Sequence, residues 1–432
     1  MISGGISAFA GRRVLLLQGP LGPFFRRLAQ DLRAAGAEVH KIDFNGGDLL
    51  FSPAGALAYR GTLDDWPAFF RRFLDAYLID TVLLFGDCRP MHVAAHRIAA
   101  SRGIEIGVFE EGYVRPNYIT LERFGVNGHS PIPRSSDFYR TTARQEIPAA
   151  LEVPPPFWHA AAWAVLYYLA AALLRPLFPH YRHHRPLSLL EAWPWLRSGW
   201  RKLACRFRER GAQQELASAW SGRYFLVPLQ VHNDAQVHVH SDFDSVEAFI
   251  EHVIVSFARH AAADVLLVIK HHPMDRGYHD WTKLIAELAG RHGLAGRVRY
   301  LHDQHLPTLL EHAQGVVVLN STVGLSALHH GRPLKVCGAA LYDMEGLTWQ
   351  GRLDAFWRQA GEMRVDRELY ERFSDYLVKT TQLNGSFYRR LAIPGSSAGL
   401  VWSNRVPAPG RAQRFIAGAA CSPRSTRGSP HC

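Results

Sequence analysis

The sequence has few cysteines, and their spacing gives them no common role. Its five cysteines, among 432 residues, are widely separated and include no Cys-x-x-Cys pair, so a zinc ribbon and a redox dithiol are disfavoured. No Gly-x-Gly-x-x-Gly turn follows the first predicted strand, which argues against a dinucleotide-dependent oxidoreductase. The Gly-rich N-terminus lacks a signal-peptide core and a small-residue cleavage site. We therefore expect a cytoplasmic protein.

Long hydrophobic runs and blocks of like charge are also missing. The apolar run at 160–174 has 15 residues, fewer than the roughly 20 that a bilayer span needs, so no transmembrane helix is predicted. Lysine and arginine outnumber aspartate and glutamate by 49 to 38, and the resulting net charge of +11 predicts an anionic partner. The basic residues are scattered rather than clustered, so we do not expect that partner to be nucleic acid.

What the sequence does contain is alternation of short apolar runs with helical patterns, in two separate stretches. This alternation is typical of α/β domains with parallel sheets. We predict a Rossmann-like N-terminal domain at 12–150, a second Rossmann-like domain at 216–400 and a disordered tail at 405–432. The predicted strands are 14–18, 38–43, 81–85 and 104–109 in the first domain, and 225–228, 265–270, 298–301, 315–319 and 334–337 in the second.

Residues 151–215 lie between these domains and have a different composition. The segment is rich in Ala, Leu, Trp and Tyr, and it carries a basic stretch at 180–185. One interpretation is a buried helix that links the two domains. The other is an aromatic, basic-flanked helical element that contacts a membrane surface, because Trp and Tyr favour the interface and Arg or His would meet anionic headgroups.

The motif Lys270-His-His-Pro273 follows a predicted strand of the second domain. Ligands of open α/β sheets collect at the carboxyl ends of strands, so His272, held by Pro273, is a candidate hydrogen-bond donor to a phosphate. Lys270 is a candidate source of positive charge. The alternative is that neighbouring histidines have no special role in a chain with 23 of them.

A second candidate is the turn Asn320-Ser321-Thr322 between a strand and a helix. Unpaired amides at a helix start and hydroxyl donors make an anion site, although simple capping by Ser321 or Thr322 explains the same residues. Both readings stay open at this stage.

Carboxylates at strand ends are the third group of candidates. Asp234, after the strand at 225–228, and the pair Glu110-Glu111 could serve as nucleophile and as acid or base. A single carboxylate in a loop is more often a turn former or a solvated charge. The nearby histidines 232, 238 and 240 lack a matching set of cysteine or carboxylate ligands, so no metal site is predicted.

Five motifs in order resemble those of the capsular polysaccharide biosynthesis and export family of Gram-negative bacteria, and the likeness covers roughly 12–400. It is greatest to the shorter, single-module members, which start the lipid linker of the capsule. The motifs are Phe85-Gly-Asp-Cys-Arg-Pro-Met-His92, Phe109-Glu-Glu-Gly-Tyr-Val-Arg-Pro116, the segment from Gln230 to Gln236, Lys270-His-His-Pro273 and Asn320-Ser-Thr-Val-Gly324.

The resemblance implies a retaining β-Kdo glycosyltransferase with two Rossmann-like domains of the GT-B type, which uses CMP-β-Kdo without a metal or other cofactor. It implies that the first domain serves the acceptor and the second binds the CMP-sugar. Asp234 matches the proposed nucleophile, and Glu110 or Glu111 matches the proposed acid or base, since longer relatives have Glu-Asp-Gly there. The residues implied to hold the donor are Lys270, His272, Pro273, Gln236, Asn320, Ser321 and Thr322.

The implied acceptor is a phosphatidylglycerol-type lipid in its lyso form, with Arg89 and Arg115 as candidate partners of the Kdo or acceptor anion. The enzyme would then work on the anionic inner face of the inner membrane, with other capsule proteins as further partners. Two alternatives stay open: a non-catalytic component that binds finished polysaccharide for export, and a sugar-nucleotide epimerase or hydrolase on the same fold.

Overall fold

Two β-sheets form the centres of two lobes in the computed structural model, which describes residues 4–144, 146–182, 192–232, 237 and 239–402. The strands of the first lobe are β1 (Arg13–Leu16), β2 (Glu38–Asp43), β3 (Leu57–Ala58), β4 (Thr81–Phe85), β5 (Glu105–Glu111), β6 (Tyr118–Arg123) and β12 (Gln382–Asn384). Those of the second lobe are β7 (Tyr224–Pro228), β8 (Leu266–Lys270), β9 (Val298–Leu301), β10 (Gly315–Val318) and β11 (Leu334–Val336).

The strand order confirms the predicted pair of Rossmann-like sheets. In the first sheet it is β12-β6-β5-β4-β1-β2-β3, with only β6 and β12 antiparallel to their neighbours. In the second it is β11-β10-β7-β8-β9, and every pairing is parallel. The central strands are continuous apolar runs because helices cover both faces of such sheets. Two facing α/β lobes of this kind are the GT-B arrangement.

Helices pack around both sheets. Those of the first lobe and the connecting segment are α1 (Phe24–Ala34), α2 (Gly46–Leu50), α3 (Trp66–Ala76), α4 (Pro90–Ser101), α5 (Ser136–Thr141), α6 (Phe157–Leu173) and α7 (Ala192–Arg208). The later ones are α8 (Ala212–Ala217), α9 (Val246–His260), α10 (Thr282–Arg291), α11 (Leu306–His312), α12 (Val323–His329), α13 (Leu353–Gln359) and α14 (Arg367–Thr381).

Local sequence explains where several of these helices begin and end. Ser245 caps α9, because its hydroxyl accepts a hydrogen bond from the amide of Ala248 at 3.2 Å. Asp366 caps α14 in the same way through the amide of Leu369. Gly36 follows α1 with a φ of +91°, a conformation in which glycine carries no steric cost.

The C-terminal part of the described chain returns to the first lobe. The strand Gln382–Asn384 pairs antiparallel with β6, and Phe387 and Leu400 join the first lobe's hydrophobic core. The buried carboxylate of Asp31 in α1 fixes this segment by accepting hydrogen bonds from the 396–398 turn. The range 216–400 predicted for the second domain therefore includes a short segment that completes the first sheet.

The segment between the lobes is helical, as predicted, and each long helix packs on a different lobe. Helix α6 lies on α2, where a Cβ at Gly46 or Gly47 would collide with the backbone of Ala170 or the ring of Tyr167. The Tyr167 hydroxyl is buried and donates to Asp48 at 2.8 Å. Among the described residues, no helix combines the length and apolarity required to cross a bilayer.

Candidate functional site

The two lobes touch at loops that follow the carboxyl ends of their strands. Cys88, in the loop after β4, has its Sγ atom 3.7 Å from Nε2 of His240 in the second lobe. The imidazole of His129, beyond β6, lies edge-on to the same ring, with centroids 4.4 Å apart. The first-lobe loop after β4 and the turn beyond β6 are thus brought beside the second-lobe loop that carries His240.

His272 stands at the carboxyl end of β8 with one ring nitrogen already occupied. Its Nδ1 accepts a hydrogen bond from the amide of Met274 at 3.2 Å, so the ring proton of the neutral form lies on Nε2. Burial lowers the pKa of His272 to about 4; Asp275 opposes this shift, while Lys270 and Arg115 reinforce it. His272 is therefore a neutral imidazole that can donate from Nε2, as a phosphate ligand must. Pro273 begins the 3-10 turn that holds it.

The other two residues of this motif, Lys270 and His271, form hydrogen bonds within the second lobe. The Lys270 ammonium group donates to the carbonyl of His302 at 3.1 Å, and burial lowers the pKa of Lys270. The Nδ1 atom of His271 lies 2.5 Å from the Tyr300 hydroxyl, and burial lowers the pKa of His271 to about 3. Lys270 thus contributes charge from within the lobe.

These neutral histidines make stability depend on pH. Unfolded histidine titrates near pH 6.5, whereas the pKa is about 3 for folded His271 and about 4 for folded His272. Between those values the unfolded chain binds more protons, so we expect the free energy of unfolding to fall as the pH drops from about 7 to about 4. Urea unfolding across this range measures the slope. His271→Asn should make it shallower and the exposed His305→Ala should not; an equal slope in both would contradict this origin.

Arg115 is a first-lobe cation whose charge acts on His272. It lies in the exposed loop after β5, with its Nε donating to the carbonyl of Gly112 at 3.2 Å. Its positive charge lowers the pKa of both His272 and Tyr388. For His272 this adds to the effect of burial, and for Tyr388 it opposes the effect of burial. Arg89 precedes α4, and its guanidinium group lies 5.4 Å from the centre of the Phe85 ring.

The turn after β10 is built chiefly by internal hydrogen bonds. Asn320 is buried, accepts from the Gln230 amide at 3.0 Å and donates to the carbonyl of His240 at 3.1 Å. The Ser321 hydroxyl accepts from the amide of Val323 at 3.2 Å. Thr322 precedes the seven-residue helix α12 and makes no side-chain cap. Asn320 therefore connects its own turn to the Gln230 segment and to the backbone at His240, and the capping alternative applies to Ser321 rather than Thr322.

Glu110 and Glu111 end β5, where successive side chains point to opposite faces. Glu110 accepts a hydrogen bond from the backbone amide of Glu111 at 2.9 Å. Glu111 instead accepts from the hydroxyl of Tyr388 at 2.9 Å, and burial raises the pKa of Tyr388 well above its ordinary value, with Glu111 adding to the effect. Sequence reasoning missed Tyr388, because it lies in the returning C-terminal segment and belongs to no recognisable motif.

Asp234 and Gln236 lie outside the described residues, as does His238. Their neighbour His232 contacts a residue that the sequence did not single out: its Nδ1 is 2.5 Å from Oδ1 of Asp275, whose side chain is fully buried. The loop that leads to Asp234 is thus tied to the turn after His272. His232 and His240 do not form one site, since each has its own partners.

Family comparison identifies the chain. A model of the family described as "Capsule polysaccharide biosynthesis protein" matches residues 80–388. The "Capsule polysaccharide export protein KpsS" of Escherichia coli is 43% identical over 381 residues, covering 88% of this chain and 97% of that protein. The chain belongs to the capsule polysaccharide biosynthesis family. The predicted family is therefore confirmed.

Other members and structures add detail to this capsule protein's relationships. The "Capsule polysaccharide modification protein LipB" of Neisseria meningitidis serogroup B is 42% identical over 394 residues, covering 89% of this chain and 94% of that protein. Among solved structures, KpsC of Thermosulfurimonas dismutans, titled a "beta Kdo 2,4 transferase", is 12% identical with a TM-score of 0.39 over 83% of this chain and 89% of KpsC. Anabaena HepE bound to UDP-glucose is 12% identical with a TM-score of 0.35, over 84% and 94% of the two chains.

Proposed function

We propose that this capsule protein is a retaining glycosyltransferase that moves β-Kdo from CMP-β-Kdo to a lyso-phosphatidylglycerol acceptor without a metal in the transfer step. The product would be the first unit of the capsule's lipid linker. The observation that carries the proposal is the neutral, Nε2-protonated His272 at the end of β8, with the cation Arg115 of the other lobe acting on it. A hydrogen-bond donor from one lobe and a positive charge from the other suit the phosphate of a sugar nucleotide bound between the lobes.

Retention at the anomeric carbon requires two displacements. In the first, a carboxylate oxygen of Asp234 attacks the anomeric carbon of Kdo and the bond to the CMP phosphate oxygen breaks, so CMP leaves with the electron pair. In the second, a glutamate takes the proton of the acceptor hydroxyl, whose oxygen displaces Asp234 from the same carbon. CMP departs as an anion and needs hydrogen-bond donors rather than an acid, which is the role proposed for His272.

The proposed acid or base is Glu110 rather than Glu111. Glu111 is held by the Tyr388 hydroxyl, so we assign it to positioning the end of β5. Glu110→Gln should lower kcat by about a hundredfold or more, the usual effect of losing a general base. Tyr388→Phe removes the donor of the Tyr388–Glu111 hydrogen bond, whereas the amide oxygen of Glu111→Gln can still accept it, and both variants should have smaller effects than Glu110→Gln. Steady-state kinetics of the three variants test the assignment; a larger loss in Glu111→Gln would reverse the roles of the two glutamates.

A membrane-bound acceptor requires a surface that meets the bilayer, and α7 supports this part of the proposal. Five of its side chains recur every three or four positions and are between 66% and 75% exposed, although all five are large and apolar: Trp193, Leu196, Trp200, Leu203 and Phe207. We call these five residues the apolar stripe. An apolar helix face of this kind is normally buried in a protein or inserted at a membrane interface.

Two arginines of α7 face the protein instead of water. Arg197 donates to the carbonyl of Tyr278 at 2.7 Å, and Arg201 donates to the carbonyl of Arg276 at 2.9 Å. Exposed cations flank the apolar stripe at Lys202 and Arg206. This orientation exposes the apolar side chains while the arginines hold the helix, and the flanking charges suit an anionic leaflet.

The decisive experiment is a product assay. The purified full-length protein would be incubated with CMP-Kdo generated in situ and a fluorescent lyso-phosphatidylglycerol, and mass and anomeric configuration would be determined. We expect a β-linked Kdo-lipid, lost in Asp234→Ala and retained in the nearby control Asp242→Ala. Release of free sugar without lipid product would favour the hydrolase or epimerase alternative. Binding of finished polysaccharide without turnover would favour the export component.

A further inference from the structure

Four side chains of metal-binding type meet where the two lobes touch. Asp87 and Cys88 come from the loop after β4, His129 from the turn beyond β6, and His240 from the second lobe ahead of α9. One potential ligand atom from each lies within 4.8 Å of those of the others. Asp87 and His240 are buried, and Cys88 and His129 are half-buried. The sequence did not suggest this set, because its members lie as much as 153 positions apart.

The distances in this cluster resemble the edges of a tetrahedral site. Zinc binds sulfur at about 2.3 Å and nitrogen or oxygen at about 2.0–2.1 Å, so neighbouring ligand atoms lie roughly 3.3–3.6 Å apart. Here Cys88 Sγ is 3.7 Å from His240 Nε2 and 3.2 Å from Asp87 Oδ1. The Nδ1 atom of His129 is 3.0 Å from Asp87 Oδ2. These three separations lie within about 0.6 Å of a tetrahedral edge, and one ligand atom from each of the four residues lies within 4.8 Å of the others.

We propose that Asp87, Cys88, His129 and His240 bind one zinc-type divalent cation that links the two lobes. A thiolate, two imidazoles and a carboxylate form a donor set that zinc accepts. Glycine at position 128 permits the arrangement, since a Cβ there would collide with the His240 ring. Binding would form four metal–ligand bonds in place of the hydrated ion's bonds to water, and the displaced water and the Cys88 thiol proton would pass to solvent.

The surroundings of the cluster indicate a structural role for the ion. Asp87 Oδ2 also accepts from the amide of Val126 at 3.2 Å, and the carbonyl of His240 accepts from Asn320 and from the amide of Ala339. Such outer contacts orient metal ligands. The ion would fix the Cys88 loop of the first lobe against the Asn320 turn of the second. All four protein ligands would fill the site, so the transfer step needs no metal-bound substrate.

Two other groups of donors in the described chain are less suitable. The group of Cys205, Glu209 and His302 offers three ligands rather than four. The group of His232, Asp275 and His279 offers three ligands and no thiol. Cys88 supplies the thiol of the four-donor site, so a thiolate-to-metal charge-transfer band would report metal binding there.

Cobalt substitution tests the proposal on the full-length protein. Co²⁺ added to metal-free protein should give a thiolate-to-cobalt charge-transfer band and tetrahedral d–d bands at one equivalent, and Zn²⁺ should abolish them. Cys88→Ser should remove the charge-transfer band, whereas the matched control Cys205→Ser should keep it. Zn²⁺ should also raise the thermal unfolding midpoint of the wild type and of Cys205→Ser, but not of Cys88→Ser.

A second variant separates metal loss from misfolding. His240→Gln keeps a polar side chain at the lobe contact and should lower zinc affinity by at least about tenfold, with the metal-free unfolding midpoint close to that of the wild type. A cobalt band that survives Cys88→Ser, one that is lost in Cys205→Ser, or zinc affinity unchanged in His240→Gln would overturn the proposal. These readouts do not involve Kdo transfer, so they stand or fall independently of the proposed activity.

Discussion

Replacing His272 with alanine should lower kcat/KM for the CMP-sugar by about a hundredfold or more. This is the usual effect of removing a hydrogen-bond donor that points at the charge developing in the transition state, here on the departing CMP phosphate. The donor in question is the Nε2 proton of a neutral imidazole, fixed there because Nδ1 accepts from the amide of Met274. Initial rates at varied CMP-sugar and fixed lipid acceptor would measure the loss.

The variant His272→Asn separates the donor from the structural role of this histidine. An asparagine oxygen can still cap the amide of Met274, as Nδ1 of His272 does, but its short side chain cannot place a second donor where Nε2 lies. His272→Asn should therefore unfold near the wild-type midpoint and still lose about as much activity as His272→Ala. The exposed His305→Ala serves as the control. Near-wild-type kcat/KM in His272→Asn would show that the residue only holds the turn.

The sequence was sufficient for the parts of the fold that follow local patterns. The strands Glu38–Asp43, Thr81–Phe85 and Val298–Leu301 have the predicted bounds, because each is a short run that ends at a change of composition. The position of His272 was also predictable, since a residue that directly follows a buried parallel strand must lie at the sheet's ligand edge. The family was recognisable from the order of five motifs.

Contacts between distant parts of the chain were not predictable in this way. The strand Gln382–Asn384 is too short to show a period, and its pairing with β6 depends on the return of the chain across both lobes. The hydrogen bond between Tyr388 and Glu111 follows from that return. The pairing of His232 with Asp275 joins two loops that neither periodicity nor a motif connects. Such contacts depend on tertiary packing, which a single sequence does not display.

Removing aromatic side chains from the apolar stripe should release the protein from anionic vesicles. Each large side chain transferred from water contributes about 1.5 kcal/mol or more to partitioning. The triple variant Trp193→Ser/Trp200→Ser/Phe207→Ser should therefore lower the partition coefficient by at least about a hundredfold. Co-sedimentation with vesicles of phosphatidylglycerol and phosphatidylethanolamine would measure it.

The matched control replaces exposed leucines elsewhere, Leu63→Ser/Leu78→Ser, and should leave binding unchanged because these residues lie outside the α7 surface. Charge is tested separately: Lys202→Gln/Arg206→Gln should weaken binding to anionic vesicles, with less effect at high salt. The triple variant should keep its activity on a short-chain acceptor dissolved in water, since the proposed mechanism assigns no step to these three residues. Vesicle binding that survived all three aromatic replacements would mean that another surface meets the lipid, and the exposed stripe on α7 would then need a protein partner.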